Sequence, residues 1–508
     1  MFDLKIVNGP IVSGAGGDEP SAGSVAVKDG RIAAVGDPLT GDARQVLDAE
    51  GAVVCPGFID LHTHCVVGHN LNFLQAGVTL AVGGNCGFSK APVAETAARC
   101  SGACGPNLAY LTGHNTARIA VMGNGDRQPT ATELDRMRQL IADDMAAGAV
   151  GFSAGLTYVP GHYAKTDEVV SLAKVAADCG GYYAVHMRNE SDRIRESVEE
   201  TLRIGREAGL PVHISHIKLS GCNAWGQSEA VLSLLDGARK RGLDATQDQY
   251  PYTASCGRIL LLLSQWLQEG TADELRARLT DPTTRARAQE ELVRKLDTAY
   301  GGDTSRVTIA TAPEPRLEGR TLAEMAGLVG LSASTSDVAK AVLDLVVQYP
   351  EQQAIYCVFH AMSEDDVRCF LRHPFTSVAS DGWGIEMGAG HPHPRQYGTC
   401  PRVLGHYARD EKLFPLPEAI RRMTSLPAGR LGLTDRGVLA EGAWADIVVF
   451  DPDTIRDRAT FDAPHQYSEG IAWVLVNGQI AVDHGRPSGL MPGVFVPRPT
   501  TATQTPSS

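Results

Sequence analysis

A chain of 508 residues, 43% hydrophobic and 21% charged, is globular in composition and too long for one small module, so it points to a large catalytic domain with accessory parts. Its 46 basic and 59 acidic side chains leave a net charge of −13, which repels phosphate backbones over long range and excludes nucleic acid as an expected partner. No run approaches the roughly 18 apolar residues that cross a bilayer, and the start MFDLKIVNGPIV lacks the features of a secretory signal, so a cytoplasmic protein with no membrane partner is expected. Eleven irregularly spaced cysteines read as reduced thiols, most of them small buried apolar residues.

Residues 3–50 alternate apolar and polar side chains, with a Lys-Asp-Gly turn inside SVAVKDGRIAAVGD. The same texture returns in Asp446–Phe450 and Ile471–Val482 around an Asn-Gly turn, so the two ends predict one discontinuous β domain, residues 1–54 and 427–495. Between them, 55–426 alternates short apolar runs with helical patterns. Eight strand candidates (57–62, 78–84, 108–114, 149–154, 182–187, 212–217, 243–248 and 376–381) predict an α/β chain whose core is a (β/α)8 barrel. The gap between the last two candidates is too long for a βα connection and predicts an inserted helical subdomain or lid over about 255–353, with ELRARL and EELVRKL as amphipathic helices. Residues 496–508, rich in Pro, Thr and Ser, are expected to be disordered.

Barrel active sites sit at the C-terminal ends of the strands. His62 and His64 close the first candidate two residues apart, on one side of a period-2 strand. Cys86 follows the second, His186 and His216 end the fifth and sixth, and Asp381 ends the eighth. A lone histidine at a strand end is more often structural, but six potential ligands or acid/base groups on five strand ends predict a metal site. His213, at an odd offset from His216, is expected to face away from the barrel interior as a packing residue. Gly151–Gly155 (GFSAG) matches a nucleophile elbow but lacks the following helix, so tight packing is the better reading of Ser153. Asn189-Glu190-Ser191 matches a glycosylation sequon that means little without secretion, and HPHPR at 391–395 reads as an ordered loop over the site.

The segments PGFIDLHTH, VGGNCGFS, VHMRNES, SHIK, YPYTAS, SDG and HPRQYGTCPRVLG together resemble the D-aminoacylase family of N-acyl-D-amino-acid deacylases in the amidohydrolase superfamily. The resemblance spans nearly the whole chain and implies a barrel beside a small β-sandwich built from both termini. It implies that Cys86, His186 and His216 hold a tight catalytic zinc, that His62 and His64 line a second, weaker metal position sharing Cys86, and that Asp381 is the catalytic acid/base. Lys218, Tyr250 and Arg395 match positions that contact the substrate carboxylate. The sequence departs from the family after HTH, where Cys65 and His69 are expected to alter the lining near the second metal position, and at Cys256, which replaces a hydroxyl.

The activity implied is zinc-dependent hydrolysis of an N-acyl-D-amino acid, or a related N-acylated metabolite, to a carboxylic acid and a free D-amino acid, with a small-molecule substrate as partner. One alternative is a cyclic amidohydrolase of the hydantoinase or dihydroorotase kind. Those enzymes bridge two metals with a carboxylated lysine ending the fourth strand, and none stands there in GFSAGLTY. The other is a scaffold that has lost its chemistry, against which stands the complete ligand set. Acyl group, side-chain preference and oligomeric state are not set by the sequence.

Overall fold

The computed structural model describes residues 1–17, 19–37, 39–89 and 92–499. Eight parallel strands pair in chain order: β1 (Phe58–Asp60), β2 (Val78–Gly83), β3 (Asn107–Gly113), β4 (Gly151–Gly155), β5 (Tyr182–His186), β6 (Val212–Ile214), β7 (Ala245–Gln249) and β8 (Thr376–Val378). Each corresponds to a strand expected from the sequence. They are buried along their whole length, as strands covered on both faces must be. One set of side chains, including Ile59, Leu80, Val82, Leu111, Tyr182 and Ala184, fills the barrel interior. The alternate set, including Phe58, Ala81, Tyr110, Phe152, Tyr183 and Val185, packs outward against the helices.

Closure between β8 and β1 is made just beyond the strands. The Asp381 N–H donates to the His62 carbonyl at 2.8 Å, and the His64 N–H donates to Gly382 at 2.6 Å. The seam of the barrel is thus sewn by residues with chemistry to perform.

The terminal strands form a separate nine-stranded sheet in which Val53–Pro56, from the first half, pairs antiparallel with Ile447–Phe450, from the second. Residues from both halves, among them Ile6, Val25, Ile32, Ile447 and Trp473, share one core, so the two ends build one body as expected. Gly57 joins that sheet to β1, and a Cβ there would lie 2.2 Å from Thr79 Oγ1, so only glycine fits.

The long gap holds helices Ala272–Thr280 and Pro282–Tyr300, where ELRARL and EELVRKL predicted them, together with Leu322–Leu328 and Thr335–Gln348. It is not purely helical. Ser255–Arg258, Val307–Thr311 and Tyr356–Phe359 form a three-stranded antiparallel sheet, so the inserted unit runs to Phe359 and has its own apolar core.

Two further expectations are corrected. Val496, placed at sequence level in a disordered tail, is buried and donates its N–H to the Leu108 carbonyl at 2.9 Å. It joins Ala428 and Leu431 in the cluster that fills the barrel interior, because the apolar VFV run is a β-like segment hidden beside proline-rich sequence. Residues 500–508 of that tail lie outside the described residues. Cys100 and Cys104, read as reduced thiols, are joined in a disulfide at the end of helix Val93–Cys100, with Cα atoms 5.4 Å apart, a separation a disulfide spans. Among the described residues, no helix is long and apolar enough to cross a membrane.

Candidate active site

Three of the side chains singled out in the sequence share an uncommon backbone. Cys86, His216 and Asp381 are left-handed, with φ of 55°, 37° and 51°. For residues other than glycine that conformation costs about 1–3 kcal/mol and persists only where the surroundings impose it. Each stands just past the end of its strand, so the turn breaks the in-and-out alternation and swings the side chain over the barrel mouth. The same break corrects the reading of His213. It pairs in register with Ala184 and Thr246, and Ala184 belongs to the interior cluster, so His213 faces inward beneath His216.

The donor atoms converge. Cys86 Sγ lies 3.4 Å from His62 Nε2, 3.7 Å from His186 Nδ1 and 3.6 Å from His216 Nε2. Asp381 Oδ1 is 3.0 Å from His64 Nε2 and 3.5 Å from His62 Nε2. Three overlapping sets, His62/His64/Cys86, Cys86/His186/His216 and His62/His216/Asp381, each bring their ligand atoms within 4.8 Å of one another. Burial, reinforced by neighbouring imidazoles, holds His62 well below its ordinary pKa and brings His186 down to about 4 despite Glu190, so both rings are neutral and able to ligate. Burial first, then Asp381 and other carboxylates, push the Cys86 thiol up against the opposing effect of Lys218, and a cation bound here would favour the thiolate. His62 Nδ1 is buried without a hydrogen-bond partner. A thiol and several neutral imidazoles around one point suit zinc.

Asp381 is also held from behind. Burial pushes its carboxyl up, but Arg395, with Nη1 2.8 Å from Oδ2, and the neighbouring histidines outweigh this and hold it well below the usual carboxylate range. Arg395 is fully buried and stands over the Tyr250 ring, 4.7 Å from its centroid. The Tyr250 hydroxyl and Arg395 Nε find no partner in the protein. Of the three residues expected at the substrate carboxylate, only Lys218 lines the cavity of about 710 Å3 that opens over the site. Tyr250 and Arg395 sit behind the wall. Cys256 lines the cavity, whereas Cys65 and His69 do not; Val66 takes that place. In HPHPR, His391 and His393 bond the carbonyls of Phe461 and Ala254 at 2.7 and 2.9 Å, which fixes the loop.

The amidohydrolase family model matches residues 45–482. The chain belongs to the amidohydrolase family, in the branch of the D-aminoacylases. It is 38% identical to an N-acyl-D-glutamate deacylase of Alcaligenes xylosoxydans xylosoxydans, over 96% of this chain and 95% of that one. It is 37% identical to a D-aminoacylase of the same organism, over 94% of each. The crystal structure of an N-acyl-D-glutamate deacylase from Bordetella bronchiseptica, complexed with zinc and a phosphonate mimic of the tetrahedral intermediate, superposes with a TM-score of 0.83 at 34% identity, covering 98% of this chain and all of that one.

Several residues that position this amidohydrolase's site escaped the sequence reading. Glu190, the middle of the discarded sequon, lies 3.2 Å from His186 Nε2, 3.2 Å from His216 Nδ1 and 2.7 Å from Lys218 Nζ. Accepting a hydrogen bond from each ring N–H leaves His186 Nδ1 and His216 Nε2 free toward Cys86. Lys218 Nζ also lies 2.7 Å from His216 Nδ1. An ammonium only donates, so once Nδ1 carries its proton the lysine turns to Glu190 and to the His216 carbonyl at 2.8 Å. Asp248 accepts from the His216 N–H at 2.6 Å and lies 2.7 Å from His213 Nε2. Asp60 accepts from the His62 and Ser380 N–H groups, tying the first metal-side strand to the loop of Asp381. Ser153 donates to the Gly84 carbonyl at 2.5 Å and accepts from Gly87 N–H at 3.1 Å, so it braces the turn of Cys86 and is no nucleophile. In the sequence, Asp60 and Glu190 stand close to a candidate ligand and Asp248 closes the seventh strand candidate, which is the only signal these three carried.

Proposed function

We propose that this amidohydrolase hydrolyses the amide bond of N-acyl-D-amino acids, releasing a carboxylic acid and a free D-amino acid. The observation that carries the reading is the meeting of Cys86, His186 and His216 with the Asp381 carboxylate at one end of the cavity. Cys86, His186 and His216 are the residues to hold the tight zinc, and His62 and His64 with Cys86 a second, weaker one. When bound, zinc polarises the amide carbonyl and lowers the pKa of a water molecule.

The chain's own groups do the rest. Asp381, fixed by Arg395 on one oxygen and facing His64 with the other, takes a proton from the attacking water. It then delivers that proton to the departing nitrogen, because an amide anion is too poor a leaving group to go unaided. Glu190 holds the two imidazoles in the tautomers the metal needs. Lys218 at the cavity wall, with Tyr250 and Arg395 behind it, receives the α-carboxylate of the substrate, and this orientation selects one hand at the α-carbon. β4 ends in Ser153, Ala154 and Gly155 with no lysine to carboxylate, which weighs against the cyclic-amide alternative.

The test is amine release by zinc-loaded protein from paired N-acetyl D- and L-amino acids with acidic, apolar and aromatic side chains. Hydrolysis confined to the D series is the expected result. Turnover of hydantoins with none of either series would replace this reading with the cyclic one.

A further inference from the structure

The cavity is lined by four Lys or Arg residues besides its histidines: Arg188, Lys218, Arg258 and Lys295. Two are already engaged, Lys218 also being the group assigned above to the α-carboxylate. Arg188 pairs with Glu200 at 2.9 Å and Lys218 with Glu190 at 2.7 Å. The two acids that line the cavity, Glu190 and Asp381, are likewise engaged, Asp381 by Arg395 at 2.8 Å. Among the described residues, Arg258 and Lys295 have no acidic partner.

Arg258 is not a waving surface charge. It ends strand Ser255–Arg258 of the insertion, and its Nη1 donates to the Gln352 side-chain carbonyl at 3.1 Å. Its guanidinium stands over the ring of Phe88, 4.7 Å from the centroid, and 5.6 Å from that of Tyr158. The Tyr158 ring in turn lies edge-on to His186 at 4.7 Å. A half-buried guanidinium is therefore held one aromatic ring away from the metal-side histidines. Lys295, on helix Pro282–Tyr300, is anchored only by donation to the Leu261 carbonyl. Burial brings its pKa down to about 8, which still leaves it mainly cationic at neutral pH.

A planar guanidinium stacked on aromatic faces keeps its outer N–H groups free for a carboxylate, and in a half-desolvated cavity such a bond is stronger than in water. The cavity, about 710 Å3, leaves space beyond an acetylated amino acid for that group to reach. We infer that Arg258 is a specificity-determining residue that receives a second carboxylate of the substrate, so that the preferred substrates are N-acyl-D-amino acids carrying an additional anionic group. This rests on the deacylase reading above. The second carboxylate has two chemical sources, the amino-acid side chain or a dicarboxylic acyl group, and Lys295 extends the same positive flank.

The experiment measures kcat and KM on two isosteric pairs, N-acetyl-D-glutamate against N-acetyl-D-glutamine, and N-succinyl-D-alanine against its terminal amide. Wild-type protein is expected to prefer the acid in at least one pair, and that pair identifies the source. In Arg258→Gln the acid-over-amide ratio of kcat/KM should fall about 10- to 100-fold, the worth of one hydrogen bond to a charged group. The change should sit in KM, and Arg258→Lys should restore part of it. Loss of both members of a pair in equal measure would mean that Arg258 meets the α-carboxylate or only supports the fold, and would overturn the inference. So would equal use of acid and amide by the wild type, with the deacylase reading intact. Failure to hydrolyse any D substrate would overturn that reading and this inference with it.

Discussion

The barrel wall of the cavity and the wall supplied by the 255–359 insertion balance their charges differently. On the barrel side, His62, Cys86, His186, His216 and Asp381 stand on short strand ends or left-handed turns, and every charged group there meets a partner. On the insertion side, Arg258 and Lys295 rise from a small sheet and a helix with a separate core, and no acid meets them among the described residues. Chemistry needs atoms fixed to fractions of an ångström, which a closed barrel with paired charges provides. Selection among substrates needs unsatisfied groups, which an appended unit carries without straining the barrel.

Substitutions on the two walls should therefore fail in different ways. The largest effect is expected for Asp381→Asn, which should lower kcat by about 10³-fold or more while leaving zinc content unchanged, checked by steady-state kinetics beside metal analysis. Equal loss of zinc would show that the carboxylate serves the metal rather than the proton.

Next comes the rigidity of the barrel wall. Glu168 is buried between His114 Nε2 at 2.9 Å and Arg118 Nη1 at 2.5 Å. Burial pushes its carboxyl up, but the bonds from His114 and Arg118 outweigh it and the pKa is lowered. A depressed folded value means that this carboxylate stabilises the protein above its unfolded pKa of about 4.3, and that the contribution disappears as pH falls through the lower folded value. Glu168→Gln leaves Arg118 buried and unpaired and should cost about 3–5 kcal/mol at pH 7. Chemical denaturation at a series of pH values should show the gap from wild type closing only below pH 4.

For the insertion, Leu296→Ala removes a fully buried side chain from its separate core and should cost about 2–5 kcal/mol there. Limited proteolysis is expected to cut within 255–359 while the zinc-binding barrel survives. Loss of zinc in step with cleavage would show that the two walls are one cooperative unit. The smallest effect is expected for Glu190→Gln. It keeps the shape but withdraws the charge that both imidazoles share, and should weaken zinc binding about 10- to 100-fold in a chelator competition.

How much of this was legible follows the same division. The eight barrel strands could be read because most are short apolar runs bounded by polar or glycine-rich turns, and the first-rank groups His62, His64, Cys86, His186, His216 and Asp381 stand at or just beyond their ends. Their supports were harder to see. Glu190, Asp248 and Asp60 act through contacts between different strands, and nothing in a one-dimensional pattern pairs residue 60 with residue 380. His213 was read with the wrong face because strand periodicity fails at a left-handed residue, and His216, at φ 37°, is one. Arg395 was matched to the substrate carboxylate by its motif alone; its seat behind the cavity wall, against Asp381, is visible only in the folded chain. Arg258 carried no motif at all. An unpaired charge is defined by what is missing around it, and only the folded chain displays that.

The most direct test of the account is a titration of the metal-free protein with zinc, following amine release from an N-acyl-D-amino acid that the wild type hydrolyses. Activity should be absent at the start and reach its maximum at one zinc per chain, held by Cys86, His186 and His216. Full activity without metal, or a maximum reached unchanged in Cys86→Ala, would contradict it.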